Sequence, residues 1–240
     1  MSALQEATPQ DGSPLPRRSR RKQARPGELL AAALDLFTEK GFAATRVEEV
    51  ARRAGVSKGT LFLYFPSKEE LFKAVVRENL AGRFPLWNAE FEAYRGSTPE
   101  LLRYAMFQWW QRVGNTPSSG LTKLVMSEAK NFPELAAFYQ REVLVPGQDL
   151  IRRILRRGVQ QGEFTIENID YGVYTVLAPM IFLITWKHSF GASPDKRLTL
   201  QPEIYLDIQV KTILHGLCRS RTTDVQGSAN TLSSAKVFPL

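Results

Sequence analysis

The chain has 240 residues, 43% of them hydrophobic, and a formal net charge of +8. That apolar share excludes a purely disordered polyelectrolyte, and the length allows one large or two small domains. The single cysteine, Cys218, excludes an internal disulfide, and the basic balance suits a polyanionic partner without choosing between nucleic acid and a membrane surface.

Residues 1–25 are rich in Pro, Ser, Gln and Arg and read as a disordered basic arm. Arg17, Arg18, Arg20, Arg21, Lys22 and Arg25 cluster there with no acid among them. Such an arm can follow a phosphate backbone or enter a minor groove; a solvated tail is the other reading. The N-terminus has no apolar signal core, so a cytoplasmic location is expected. Pro26 suits a helix start, and Gly41 stops that helix after Lys40.

Two short helices then flank a tight turn at Ala54-Gly55-Val56. Thr45 with Glu48 has the spacing of a capping box for the first. Val47, Val50, Ala51 and Ala54 form one apolar stripe on it. Gly55 supplies the positive φ that a helix end wants, and Ser57 caps the second helix. Lys58, Gly59 and Phe62 have outward options there. Gly59 costs about 1 kcal/mol relative to Ala within a helix, but it lets the helix approach a partner closely. This is the pattern of a helix-turn-helix, whose second helix lies in the DNA major groove. Ser67 with Glu70 makes a further capping box, opening a fourth helix to about Arg83. Lys68 is misplaced for the dipole of that helix; a phosphate partner would explain it, and so would plain solvation.

After Phe84-Pro85 the pattern stays helical, with helices expected over Glu100–Val113, Gly120–Lys130 and Phe132–Gln161, the last bent at Pro146-Gly147. Ile169 to Phe190 is apolar all round, and Pro202 to Arg219 follows. The longest apolar stretch, Val173–Trp186, is short for a membrane span and contains Pro179. A helix apolar on every side needs cover on every side, and a second copy of the chain is the simplest cover. Residues 220–240 are Ser/Thr-rich and read as a disordered tail. Strand signals are scarce, so the fold class is all-α.

The run Val50-Ala51-Arg52-Arg53-Ala54-Gly55-Val56-Ser57-Lys58-Gly59-Thr60-Leu61-Phe62-Leu63-Tyr64-Phe65-Pro66-Ser67-Lys68-Glu69-Glu70-Leu71 resembles the DNA-binding domain of TetR-family transcriptional regulators. The preceding Leu29–Phe37 and Lys40-Gly41-Phe42-Ala43-Ala44-Thr45 fit as well. The resemblance implies an N-terminal three-helix helix-turn-helix domain over 26–75, with its motif at about 46–65. It also implies a C-terminal helical ligand-binding and dimerisation domain over 76–219. A homodimer would then place two recognition helices on a palindromic double-stranded operator, with half-sites roughly 34–36 Å apart. Ser57, Lys58, Gly59 and Thr60 are expected in the groove, with Thr45, Tyr64 and Lys68 on phosphates and Arg46 a further candidate. Phe62 stands where the family often has Tyr, and it cannot hydrogen-bond a phosphate, which moves that contact to Tyr64.

The resemblance further implies a repressor released by a small hydrophobic effector. The alternative is a DNA-organising or cell-cycle protein without one. Tyr104, Met106, Phe107, Trp109, Trp110, Met126, Phe138, Tyr139 and Phe182 concentrate large apolar groups in the middle of the chain. Of these, Tyr104, Phe107, Trp110, Met126, Phe138 and Phe182 are the candidate pocket lining, although any one of them can equally fill a core. His188 and His215 have no acid or cysteine at ligand spacing, so no metal, cofactor or enzymatic activity is expected.

Overall fold

The computed structural model describes residues 17–191 and 199–218, with side chains from residue 26 onward. It is built of helices: α1 (Arg17–Lys40), α2 (Val47–Arg53), α3 (Lys58–Tyr64) and α4 (Lys68–Asn79) come first. A short 3-10 turn, Ala81–Arg83, leads into α5 (Phe84–Ala93). Then follow α6 (Thr98–Trp109), α7 (Ser119–Glu128), α8 (Pro133–Tyr139), α9 (Val145–Gln160), α10 (Ile169–Ser189) and α11 (Pro202–Leu217). Among the described residues there is no sheet, only one isolated bridge between Phe164 and Cys218. The tail expected over 220–240 and the arm over 1–16 lie outside the described residues.

Several boundaries differ from the expectation. α1 starts at Arg17, so Pro26 lies inside a helix and 17–25 are helical backbone. α5 was not expected as a separate element. The long pattern over Phe132–Gln161 divides at a π turn, Gln140–Leu144, and not at Pro146-Gly147. Pro146 directly follows that π turn in a continuous helical run, where the Val145 N–H still reaches back to the Gln140 carbonyl but the proline has no N–H to donate. A second π turn, Trp110–Gly114, ends α6. The expected glycine stops hold, with φ of 85° at Gly41 and 66° at Gly55, and Gly162 after α9 has φ of 69°.

The capping box of α2 sits one residue later than its spacing implies. Arg46 is the N-cap, and the Glu49 carboxylate accepts its backbone N–H at 3.4 Å. Thr45 is instead 1% exposed, and its hydroxyl reaches the carbonyls of Gly41 (2.7 Å) and Leu36 (3.1 Å). It closes the end of α1, where carbonyls lack helical partners, and leaves the start of α2 to others.

Two cores hold the chain. In the first, Phe37 and Phe42 stack and Phe72 meets both edge-on, with centroids 5.4–5.7 Å apart, and α7 and α8 add Leu121, Leu124, Leu135 and Phe138. In the second, α6, α9, α10 and α11 bury Leu102, Met106, Trp110, Ile154, Val176 and Val210. Phe164 lies where a side chain on Gly158 would stand, so the loop after α9 closes onto that helix (an added Cβ would be 2.2 Å from the ring).

α10 has 21 residues and is long and apolar enough to cross a membrane by length and composition, more than the Val173–Trp186 stretch implied. Val173, Val176, Met180 and Leu183 face the second core, and Ile184 is buried beside them. Tyr171, Tyr174, Phe182 and Phe190 remain exposed, and so do Ile204 and Ile208 on α11.

Candidate DNA interface and effector cavity

α2 and α3 are joined by the turn that Gly55 makes possible, with the Val56 N–H bonded to the Ala51 carbonyl at 2.9 Å. The Ser57 hydroxyl caps α3 by accepting the Thr60 N–H at 3.1 Å, and it also shares a hydrogen bond with the Thr60 hydroxyl at 2.9 Å. Leu61, fully buried, anchors the inner side of α3. Outward stand Ser57, Lys58, Gly59, Phe62 and Tyr64, with Thr60 half-buried and Arg46 exposed at the start of α2.

A Cβ added to Gly59 would meet only the Ser57 hydroxyl, at 3.8 Å. The protein therefore has room for a side chain there, and the packing does not require the glycine. Lys58 pairs with Glu48 at 2.6 Å and lies 5.7 Å from the centre of the Phe62 ring. The Lys58 contact holds the Glu48 carboxyl below the usual carboxylate range. Leu63 is 84% exposed on the same helix. Its place is legible from spacing: it stands two positions from buried Leu61, which puts it on the opposite side of a helix. An exposed leucine there can meet a thymine methyl group.

Two expected phosphate contacts are corrected. The Thr45 hydroxyl is buried and engaged, as described above. Lys68 donates to the carbonyls of Phe42 (2.8 Å), Thr45 (3.1 Å) and Ala43 (3.3 Å) and lies 4.4 Å from the centre of the Phe42 ring. Its three N–H groups are thereby used, and burial pushes its pKa down. Lys68 ties the α1–α2 connection to α4.

The same connection is gripped from the other side. Glu128, at the end of α7, accepts the backbone N–H groups of Phe42 (2.8 Å) and Ala43 (3.1 Å). Gly120 at the start of α7 lies against Thr38 of α1, where an added Cβ would be 2.6 Å from a methyl group. Ser119 bonds His188 of α10 at 2.8 Å. α7 thus joins α1 and the α1–α2 connection to α10.

Its inner side borders a cavity of about 550 Å³, walled by Leu80 at the end of α4 and by residues of α5 to α10. Phe84, Trp87, Phe91, Trp109, Ile151 and Ile184 give it an apolar lining. Thr122 of α7 and Tyr139 of α8 share a hydrogen bond at 2.8 Å in its wall, and burial pushes the Tyr139 phenol up to about 12. Glu90 is neutralised by Arg112 at 2.7 Å, with the Tyr104 hydroxyl 3.5 Å away.

Of the six candidate lining residues only Tyr104 reaches the cavity. Trp110 is in the second core, donating its indole N–H to Glu203 at 3.2 Å. Its neighbour Trp109 lines the cavity instead. Phe138 is buried in the first core, and Phe107 packs against the second beneath Arg103. Met126 is 57% exposed, and Phe182 is 42% exposed on the outer side of α10. Aromatic mass marked the right part of the chain but not the direction in which each ring points.

A family model described as bacterial regulatory proteins, tetR family, matches residues 29–75. A second, the AefR-like transcriptional repressor C-terminal domain, matches 102–196. The HTH-type transcriptional regulator RutR of Escherichia coli is 47% identical over 79 residues, covering 33% of this chain and 35% of RutR. That similarity therefore spans about a third of the relative's length. The fatty acid metabolism regulator protein of Bacillus subtilis is 26% identical over 151 residues, covering 62% of this chain and 76% of that protein. The solved structure of FadR from Bacillus subtilis in complex with stearoyl-CoA matches with a TM-score of 0.66 at 18% identity, over 79% of this chain and 98% of that one. At that identity the likeness speaks for the fold.

Proposed function

Because the chain belongs to the TetR family of bacterial regulatory proteins, we propose that it is a homodimeric, ligand-responsive repressor that leaves a palindromic operator when an apolar effector enters its cavity. The carrying observation is the apolar cavity of about 550 Å³, within the size range of small-molecule sites. A DNA-organising protein without an effector needs no such space. The fatty-acid regulators among the similar proteins support a long acyl chain as the occupant. A cytoplasmic location fits this role.

On the DNA side, Ser57, Lys58, Gly59 and Thr60 present α3 to the major groove, and Tyr64 and Arg46 serve as phosphate contacts. Leu63 joins them as an apolar base contact, with Phe62 beside Lys58. The unfilled space at Gly59 supports a close approach of α3 to the DNA. Two copies are brought together by the exposed apolar faces of α10 and α11.

Effector action requires that the occupant bind one dimer geometry better than the other. α7 is the element that both sites touch, through Thr122 at the cavity and Glu128 at the α1–α2 connection. The test is a gel-shift on the region upstream of the chain's own gene, titrated with fatty acyl compounds. A specific complex that dissociates on titration is expected. A specific complex indifferent to every compound that quenches Trp87 or Trp109 would favour the effector-free reading.

A further inference from the structure

The cavity offers little to an anion. Among the described residues its lining has neutral polar groups such as Gln108 and Gln148 but no lysine, arginine or histidine, and its one charge, Glu90, is an acid already matched by Arg112. An effector with an anionic head finds no counter-charge in the lining.

Phe91 of α5 lines the cavity and also a second, open groove of about 580 Å³ between α5 and α9. This groove is lined by Arg95, Arg153, Arg156 and Arg157, against the single carboxylate of Glu92. Arg153 pairs with Glu92 at 3.1 Å, also bonds Asn88, and lies 4.9 Å from the centre of the Phe91 ring. Arg157 is held by the carbonyls of Gly96 (2.6 Å) and Tyr94 (3.3 Å). Carbonyls fix its direction without cancelling its charge, so the guanidinium is positioned before any ligand arrives. Arg95 and Arg156 are exposed, and no ion pair of either occurs among the described residues.

We propose that the effector is an amphiphile: its apolar chain fills the cavity behind Phe91, and a phosphorylated head lies in the arginine groove between α5 and α9. The proposal rests on the cavity reading above and names what that cavity's ligand must carry. A lone carboxylate would use little of a groove with three uncompensated positive charges. Phosphate groups, doubly charged and suited to the forked guanidinium, match it.

The test compares stearoyl-CoA, stearate and free coenzyme A, each followed by quenching of the indole fluorescence of the full chain at low and high salt. Stearoyl-CoA should bind about tenfold or more tightly than stearate at low salt, and the gap should narrow as salt rises. The double substitution Arg95→Glu with Arg156→Glu touches neither the cavity nor the carbonyl-held Arg157. It should remove the advantage of the thioester, lower stearate affinity far less than that of stearoyl-CoA, and keep the wild-type melting temperature. Equal binding of stearate and stearoyl-CoA by the wild type overturns the head-group site while leaving the cavity reading intact. Retained preference for stearoyl-CoA in the double variant does the same. Coenzyme A binding as tightly as its stearoyl ester would separate the groove from the cavity and overturn the link. No binding by either chain-bearing ligand would overturn the cavity reading together with this proposal.

Discussion

Lys58 and Lys68 carry the same charge, but their surroundings give them different work. Lys68 holds three carbonyls of the α1–α2 connection, so Lys68→Met should lower folding stability by about 2 kcal/mol, read in a denaturant titration. Lys58 meets only Glu48 and the edge of Phe62, both at the surface. Lys58→Ala should leave the unfolding midpoint in place, weaken operator binding, and make its salt dependence shallower by about one ion. Tyr64→Phe should also weaken binding with the fold intact; unchanged affinity in both variants would remove them from the interface. Tyr139 gives an alkaline signature. Its folded pKa of about 12 lies above the ordinary 10.0, so between those values the unfolded chain has lost a proton that the native one keeps. The stability from its neutral phenol is complete below the unfolded value and falls away as pH climbs toward about 12. Tyr139→Phe should flatten that alkaline decline in a series of thermal melts.

Among the elements, α7 shows how far local sequence can be read. The helix-turn-helix was legible because its signals are local: Gly55 at the turn, Ser57 at a cap, a buried stripe at helical spacing. The cavity was not, because it depends on which way each ring points once the helices have packed, and one helix carries apolar residues to both a core and the cavity. Trp110 starts one of the two π turns and points into a core while Trp109 faces the cavity. Thr45 and Lys68 were misread for a related reason: their partners are carbonyls of a connection whose path only the tertiary fold defines. α7 also contributes a pH response through Ser119 and His188. Burial, then Lys187 and Lys123, hold the His188 pKa below its ordinary 6.5. The unfolded chain therefore takes up the proton first as pH falls, so stability present above about pH 6.5 is lost below it. Thermal melts at pH 7 and pH 5 should differ less for His188→Gln than for the wild type.

At the scale of the whole molecule, the outer faces of α10 and α11 leave Phe182, Ile204 and Ile208 exposed beside a shallow groove that includes Pro179 and Gly216. Ile208→Glu should yield a folded monomer by analytical ultracentrifugation and abolish tight operator binding, since each half-site would then be read alone. A dimer that survives both Ile208→Glu and Phe182→Glu would place the interface elsewhere. The Glu128 grip has a consequence of its own. A carboxylate that accepts peptide N–H groups reads no side chain, so it makes no demand on the residues of α2 and α3. The DNA-reading helices can therefore drift, or be exchanged for those of another member, while the mechanical connection beneath them persists. A chimera with foreign α2 and α3 should bind the foreign operator and still answer to this chain's own effector.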